Sequence, residues 1–251
     1  MTRISHIPTK EVFESKYLTA ADVVADWLSN HGGLKDKRVL DFGCGEGLQA
    51  AAICARMGAR SVLGVDINNE HLDCQEILKN FAPNASTNGL SFKEIAPGEK
   101  LGGEFDVVFS WSALEHVDLK LFDDVIQNLR SVLTPGGYFF FQVAPLYYSE
   151  DGAHLWALGW TNWEHLTSQI SHIKEELRIF DKATESALWG MYATLNMMTS
   201  NQMIARIENC GFSTVRIYKE KSDRKPPKSL LDVYCEEALL TKQVVGLFQA
   251  T

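Results

Sequence analysis

The sequence is short of positive charge: 24 Lys and Arg stand against 32 Asp and Glu, a formal net charge of -8. Neutralising nucleic-acid phosphates takes clustered Lys and Arg. The one basic run, KEKSDRKPPK at Lys219–Lys228, is short and mixed with acids, so it reads as a solvated loop and no nucleic-acid partner is expected. Long apolar runs are missing too. No stretch approaches the ~20 apolar residues of a membrane-spanning helix. The opening MTRISHIPTKEVFESKY has no apolar core of signal-peptide length. Five cysteines, an odd number at irregular spacing, make neither a disulfide framework nor a paired CxxC metal site. A reducing cytoplasm and no membrane contact are therefore expected. There is no internal repeat and no low-complexity tract. What the chain does have is apolar material, 45% of 251 residues, enough for one sizeable core.

That material is arranged in alternation. After RVLDF come SVLGVD (Ser61–Asp66), LSFKEI (Leu90–Ile95), EFDVVFSW (Glu104–Trp111) and GYFFFQVA (Gly137–Ala144), five strand-like runs in order. Between the last two, Phe122, Val125, Ile126, Leu129 and Leu133 recur at helical spacing, and TPGG at Thr134–Gly137 is read as ending that helix. SNQMIARIENCGFSTVRIYKE then repeats helix, Gly, strand, and KQVVGLFQA (Lys242–Ala250) supplies a last strand. The pattern predicts an α/β fold, a doubly wound, mostly parallel seven-stranded sheet with helices on both faces.

Leu146–Met198 breaks the alternation where such a sheet needs only a short link, and it holds four of the six tryptophans and three of the seven histidines. An insertion after strand five, at the carboxyl edge of a parallel sheet, is well placed to cap a ligand. The simpler reading makes its aromatics a satellite core. The expected organisation is an N-terminal helical segment (1–35), a cofactor-binding core (36–145), an aromatic cap (146–198) and the rest of the core (199–251).

VLDFGCGEG at Val39–Gly47 reads as strand, glycine turn, helix. A nicotinamide loop wants G-x-G-x-x-G, but Leu48 stands at the third glycine. With Asp41 ahead of Gly43, Gly45 and Gly47, the stretch resembles motif I of the class I, Rossmann-like S-adenosylmethionine-dependent methyltransferases. The later motifs are similar to that family's as well: GVDIN, LSFKEIAP, FDVVFSWSALEHVD and LRSVLTPGGYFFF. The resemblance covers roughly residues 36–145 well and 199–250 more loosely, and implies S-adenosylmethionine as the cofactor. It places Asp41, Gly43, Cys44, Gly45, Asp66, Ile67, Ile95, Ala96 and Ser110 against it. Asp41 would orient the amino acid end, and Asp66, 19 residues after Gly47, would accept from both ribose hydroxyls. Ile95 and Ala96 would meet the adenine.

On the acceptor side, Trp111, Glu115, Tyr147, Trp156, Trp160 and Trp163 are candidate contacts for a small molecule. Methylation of a hydroxyl requires a base near pH 7, which points to His154 first, then His165 and His116, whereas a carboxylate acceptor needs none. His154 stands next to a flexible Gly152 and two acids that would hold its tautomer. His172, in SQISHIKEEL, reads as a surface residue. Some members, O-methyltransferases of ubiquinone biosynthesis among them, use a Glu three residues before a Glu-His pair as metal ligands. Here Ser112 occupies that position before Glu115 and His116, and no metal is expected. SWSA after strand four argues against the adenine and glutamine amide N-methyltransferases. The expected function is O-methylation of a hydroxyl or carboxylate. A nicotinamide-dependent oxidoreductase and a non-catalytic S-adenosylmethionine-binding protein are the alternatives, and the oligomeric state stays open.

Overall fold

The computed structural model describes residues 7–251. In chain order its elements are α1 (Lys10–Glu14), α2 (Ala21–Leu28), β1 (Arg38–Phe42), α3 (Leu48–Met57), β2 (Ser61–Asp66), α4 (Cys74–Phe81), β3 (Leu90–Glu94), β4 (Phe105–Trp111), α5 (Phe122–Ser131) and β5 (Leu133–Val143). There follow α6 (Glu164–Thr167), α7 (Ile170–Leu177), α8 (Lys182–Ala193), α9 (Ser200–Asn209), β6 (Phe212–Lys221), α10 (Lys228–Leu231), α11 (Glu236–Leu240) and β7 (Thr241–Ala250).

The strands form one seven-stranded sheet in the order β3-β2-β1-β4-β5-β7-β6. β1 runs parallel to β2 and to β4, and β2 parallel to β3; Asp41 lies opposite Gly64 on one side and Phe109 on the other. The order reverses beside β1, from which the chain runs outward through β2 and β3 before returning to the opposite side as β4. Parallel crossovers are right-handed, so this reversal puts helices on both faces and opens a crevice at the carboxyl ends of β1 and β4. Strands covered on both faces need continuous apolar runs. Val39 and Leu40 of β1 and Val107, Val108 and Phe109 of β4 are accordingly buried.

β5 differs from the sequence expectation. α5 already ends at Ser131, and the strand begins at Leu133 rather than Gly137, so that Thr134–Gly137 is its first part and not a helix-ending turn. Gly137 lies so tightly on β4 that a Cβ there would stand 3.0 Å from Asp106 O.

The chain divides into two compact units, one taking it up to Trp111 with Gln127–Phe141 and Leu247–Thr251, the other Ser112–Ile126 with Gln142–Gly246. In the first, Phe140 meets Trp27 edge-on at 5.7 Å and Phe141 stacks on Phe248 at 5.8 Å. In the second, Ala153, Leu155, Trp160, Ile173, Leu177 and Tyr192 share one apolar cluster, and Trp163, Leu230 and Leu239 form another. Among the described residues no helix is long and apolar enough to cross a membrane.

Candidate active-site elements

In the first unit, β1 runs directly into the glycine loop. The Gly43 and Cys44 N–H groups donate to Val65 O at 2.8 and 3.1 Å, tying the loop to β2. Gly43, Gly45 and Gly47 all have left-handed φ, +77°, +51° and +76°, which residues with a Cβ rarely adopt. A Cβ on Gly45 would meet only Glu70 Oε2 at 3.8 Å, so that side of the loop is open to a ligand. Cys44 turns inward instead, and burial pushes its thiol up; its carbonyl accepts the Gly47 N–H at 2.8 Å.

Asp66, at the end of β2, accepts the Gly45 N–H on Oδ2 (2.9 Å) and the Asn68 N–H on Oδ1 (2.8 Å). Each carboxylate oxygen offers about two lone-pair sites. The side chain can therefore hold the loop and still accept from ribose hydroxyls. Ile67 beside it is 55% exposed, an apolar surface at the same strand end. These features fit a nucleoside ligand.

Asp41, Ile95 with Ala96, and Trp111 are engaged within the protein itself. Asp41 is 2% exposed, turned to the backbone N–H of Ala50 in the first turn of α3, and its Oδ2 has no partner. Burial, and Asp66 after it, hold its carboxyl well above the usual range. Its bond to the Ala50 N–H ties the end of β1 to the start of α3. The Ala96 N–H donates to Glu99 Oε2 at 2.9 Å and is not free to meet an adenine, while Ile95 is buried with its N–H on Asp66 O. Trp111 stacks on Phe140 at 6.3 Å, part of the packing. Ser110 is fully buried with Oγ unpartnered.

In the second unit, Ser112 stands in the left-handed region (φ +49°), pinned by its N–H to Gln142 O (2.8 Å) and its Oγ to Gln142 Oε1 (2.9 Å). The 3-10 turn Leu114–His116 follows. Glu115 is 4% exposed with both carboxyl oxygens unpartnered, and burial raises it to about 8. His116 is half-buried, and desolvation, with His154 second, lowers it to about 4, so the ring is neutral at pH 7. Its Nδ1 lies 2.9 Å from Thr194 Oγ1.

His154 does not sit as expected. It is 5% exposed, its Nε2 donates to Pro145 O at 3.0 Å, and its ring stacks on Trp156 at 5.3 Å. A backbone carbonyl, not the neighbouring acids, sets its tautomer. His165 is 4% exposed with Nε2 on Tyr147 O at 2.6 Å, and burial lowers it to about 4. Both histidines are built into the packing. Trp160 and Trp163 are core residues too, their indole N–H groups satisfied by Glu176 Oε2 (3.1 Å) and Leu239 O (3.2 Å). Tyr147 is half-buried beside Tyr148 and Tyr192. Trp156 is 50% exposed and lines a cavity of about 280 Å³ with Ala144, Pro145, Asp151 and Lys242. It combines exposure with a cavity. Thr194 and Asn196, which hold the Leu114–His116 turn, were missed, because a Thr-Leu-Asn at a helix end carries no motif.

Strand order, the reversal beside β1 and the glycine loop at that edge define the class I methyltransferase fold. The family model described as a methyltransferase domain matches residues 17–187, more than half of the chain, and the chain belongs to that family. It is 33% identical over 121 residues to a ubiquinone biosynthesis O-methyltransferase of Acinetobacter baylyi, covering 46% of this chain and 48% of that protein. With the protein of the same name from Dechloromonas aromatica it shares 29% identity over 171 residues, 68% and 69% of the two chains. The chain thus spans about half the length of that Acinetobacter baylyi protein and of its namesakes from Shewanella pealeana and Burkholderia vietnamiensis. Among solved structures, magnesium protoporphyrin IX methyltransferase from Synechocystis PCC 6803 with bound SAH aligns over 99% of this chain and 90% of its own, at TM-score 0.58 and 18% identity. An S-adenosylmethionine-dependent methyltransferase from Mesorhizobium loti aligns over 91% and 99%, at TM-score 0.55 and 19% identity. At such identities the structures share the fold alone.

Proposed function

We propose that the protein transfers the methyl group of S-adenosylmethionine to a hydroxyl oxygen of a small molecule, with His116 as the base. The supporting observation is the state of that histidine: of the three candidates it alone is only half-buried, and its Nδ1 is engaged by Thr194, which leaves Nε2 as the ring nitrogen for an acceptor. A neutral imidazole is the side chain best matched to removing a hydroxyl proton near pH 7. When bound, S-adenosylmethionine supplies an electrophilic methyl group on a sulfonium. Gly43, Gly45 and Asp66 would hold it, with Ile67 offering an exposed apolar surface beside Asp66. His116 Nε2 would take the hydroxyl proton of the acceptor, and the imidazolium would return it to solvent. Trp156 offers an apolar wall for the acceptor. The nicotinamide alternative is disfavoured because Leu48, at the position of the third glycine, is a fully buried first residue of α3.

The test is mass spectrometry of the purified protein with S-adenosylmethionine, a panel of small phenols and hydroxy acids, and matching amines. Products carrying one added methyl on oxygen, with SAH released in equal amount, are expected. Methylation of the amines alone would overturn the reading.

A further inference from the structure

We propose that Thr194 is a positioning residue that fixes His116 as the Nδ1–H tautomer and so leaves Nε2 as the basic nitrogen. The proposal rests on the reading of His116 as the base. Thr194 closes the C-terminus of α8, and its Oγ1 lies 3.0 Å from Met191 O as well as 2.9 Å from His116 Nδ1. A backbone carbonyl only accepts, so the single hydroxyl proton of Thr194 goes to Met191 O. Towards His116 the hydroxyl can then only accept, which requires the proton to be on Nδ1. A neutral imidazole carries one N–H, and its lone pair is therefore on Nε2. The other tautomer would need the hydroxyl proton turned to Nδ1, giving up the bond to Met191 O.

The same short segment holds the backbone beneath the ring. Asn196 donates its N–H to Glu115 O (2.8 Å) and its Nδ2 to Leu114 O (2.7 Å) and Val117 O (3.2 Å). Its amide orientation is fixed independently, since Oδ1 accepts from the Met198 N–H at 3.3 Å. Thr194–Asn196 thus clamps both the ring and the turn that carries it, although 78 residues separate Thr194 from His116 in sequence. The two neighbouring histidines do not compete for this hydroxyl: each has its Nε2 on a carbonyl, Pro145 O for His154 and Tyr147 O for His165.

The experiment is nitrogen NMR of protein carrying ¹⁵N-labelled histidine, with the His116 signals assigned by their loss in His116→Gln. In the wild type near pH 7, His116 is expected to show a protonated Nδ1 and an unprotonated Nε2. Thr194→Ser keeps this pattern, and Thr194→Val, similar in shape without the hydroxyl, loses it. With an acceptor in hand, Thr194→Val is expected to lose turnover by roughly tenfold or more, against a limit of about 10⁴ where a wrong tautomer disables a catalytic triad, with Thr194→Ser restoring it. A wild-type His116 protonated on Nε2, or a Thr194→Val spectrum like the wild type's, would overturn the proposal. A tautomer that changes in Thr194→Val without change in turnover would leave the positioning intact and sink the assignment of His116 as the base.

Discussion

The ring of Phe92 on β3 lies so close to Gly47 that a Cβ on that glycine would stand 2.4 Å from its Cε1 and Cζ. Gly47 is also left-handed, at φ +76°. Gly47→Ala therefore faces two separate penalties, roughly 1–2 kcal/mol for the backbone and about 1–3 kcal/mol for the overlap. Thermal melts are expected to show the full loss in Gly47→Ala and only the backbone part of it in Gly47→Ala/Phe92→Ala relative to Phe92→Ala. Equal losses in the two backgrounds would show that the ring moves aside at no cost.

Asp66 holds the Gly45 N–H, and the same carboxylate is the proposed acceptor for the ribose. Asp66→Ala is expected to weaken SAH binding in calorimetry by about 1.5–3 kcal/mol for each charge-assisted bond removed. Wild-type affinity in this variant would contradict the assignment.

The elements around the loop were legible because their signals are local. SVLGVD is β2 from its first residue to its last, and Phe122, Val125, Ile126 and Leu129 are buried at the helical spacing read from the sequence. TPGG misled because the same residues that stop a helix can begin a strand, and the close approach of Gly137 to β4 decides between the two. On the acceptor side, composition showed a concentration of aromatics and histidines but not their partners. Trp160 and Trp163 are buried by α7 and α11, and His154 and His165 are tied to carbonyls 9 and 18 residues away in sequence. The contact between His116 and Thr194 is more distant still, and no periodicity encodes it.

Glu115 makes stability depend on pH. Burial raises its pKa from 4.5 to about 8, so between those values the folded protein holds a proton that the unfolded chain has released. Its contribution is complete below about pH 4.5 and is lost as pH rises through about 8. Glu115→Gln cannot lose that proton. Melting temperatures of the variant are expected to gain on the wild type from pH ~5 to ~8, by an amount on the order of 3 kcal/mol. Parallel curves would show that the carboxyl ionises without penalty.

His154→Ala and His165→Ala each remove a donor from a carbonyl and a ring from the packing. Each is expected to cost about 1–3 kcal/mol of stability, while turnover per folded molecule changes little. A melting curve combined with rates normalised to the folded fraction checks this. A loss of about 10²-fold or more in either variant, with its melting point unchanged, would make that histidine the base.

The central claim is that neutral His116 removes a hydroxyl proton as the methyl group is transferred. The most direct measurement is the rate of SAH formation by His116→Ala beside the wild type, with the hydroxyl acceptor identified from the panel and SAH affinity measured in parallel. The expected result is a fall in kcat of about 10²–10⁴-fold with SAH affinity unchanged. A variant that transfers the methyl group to the same hydroxyl at the wild-type rate would contradict the claim.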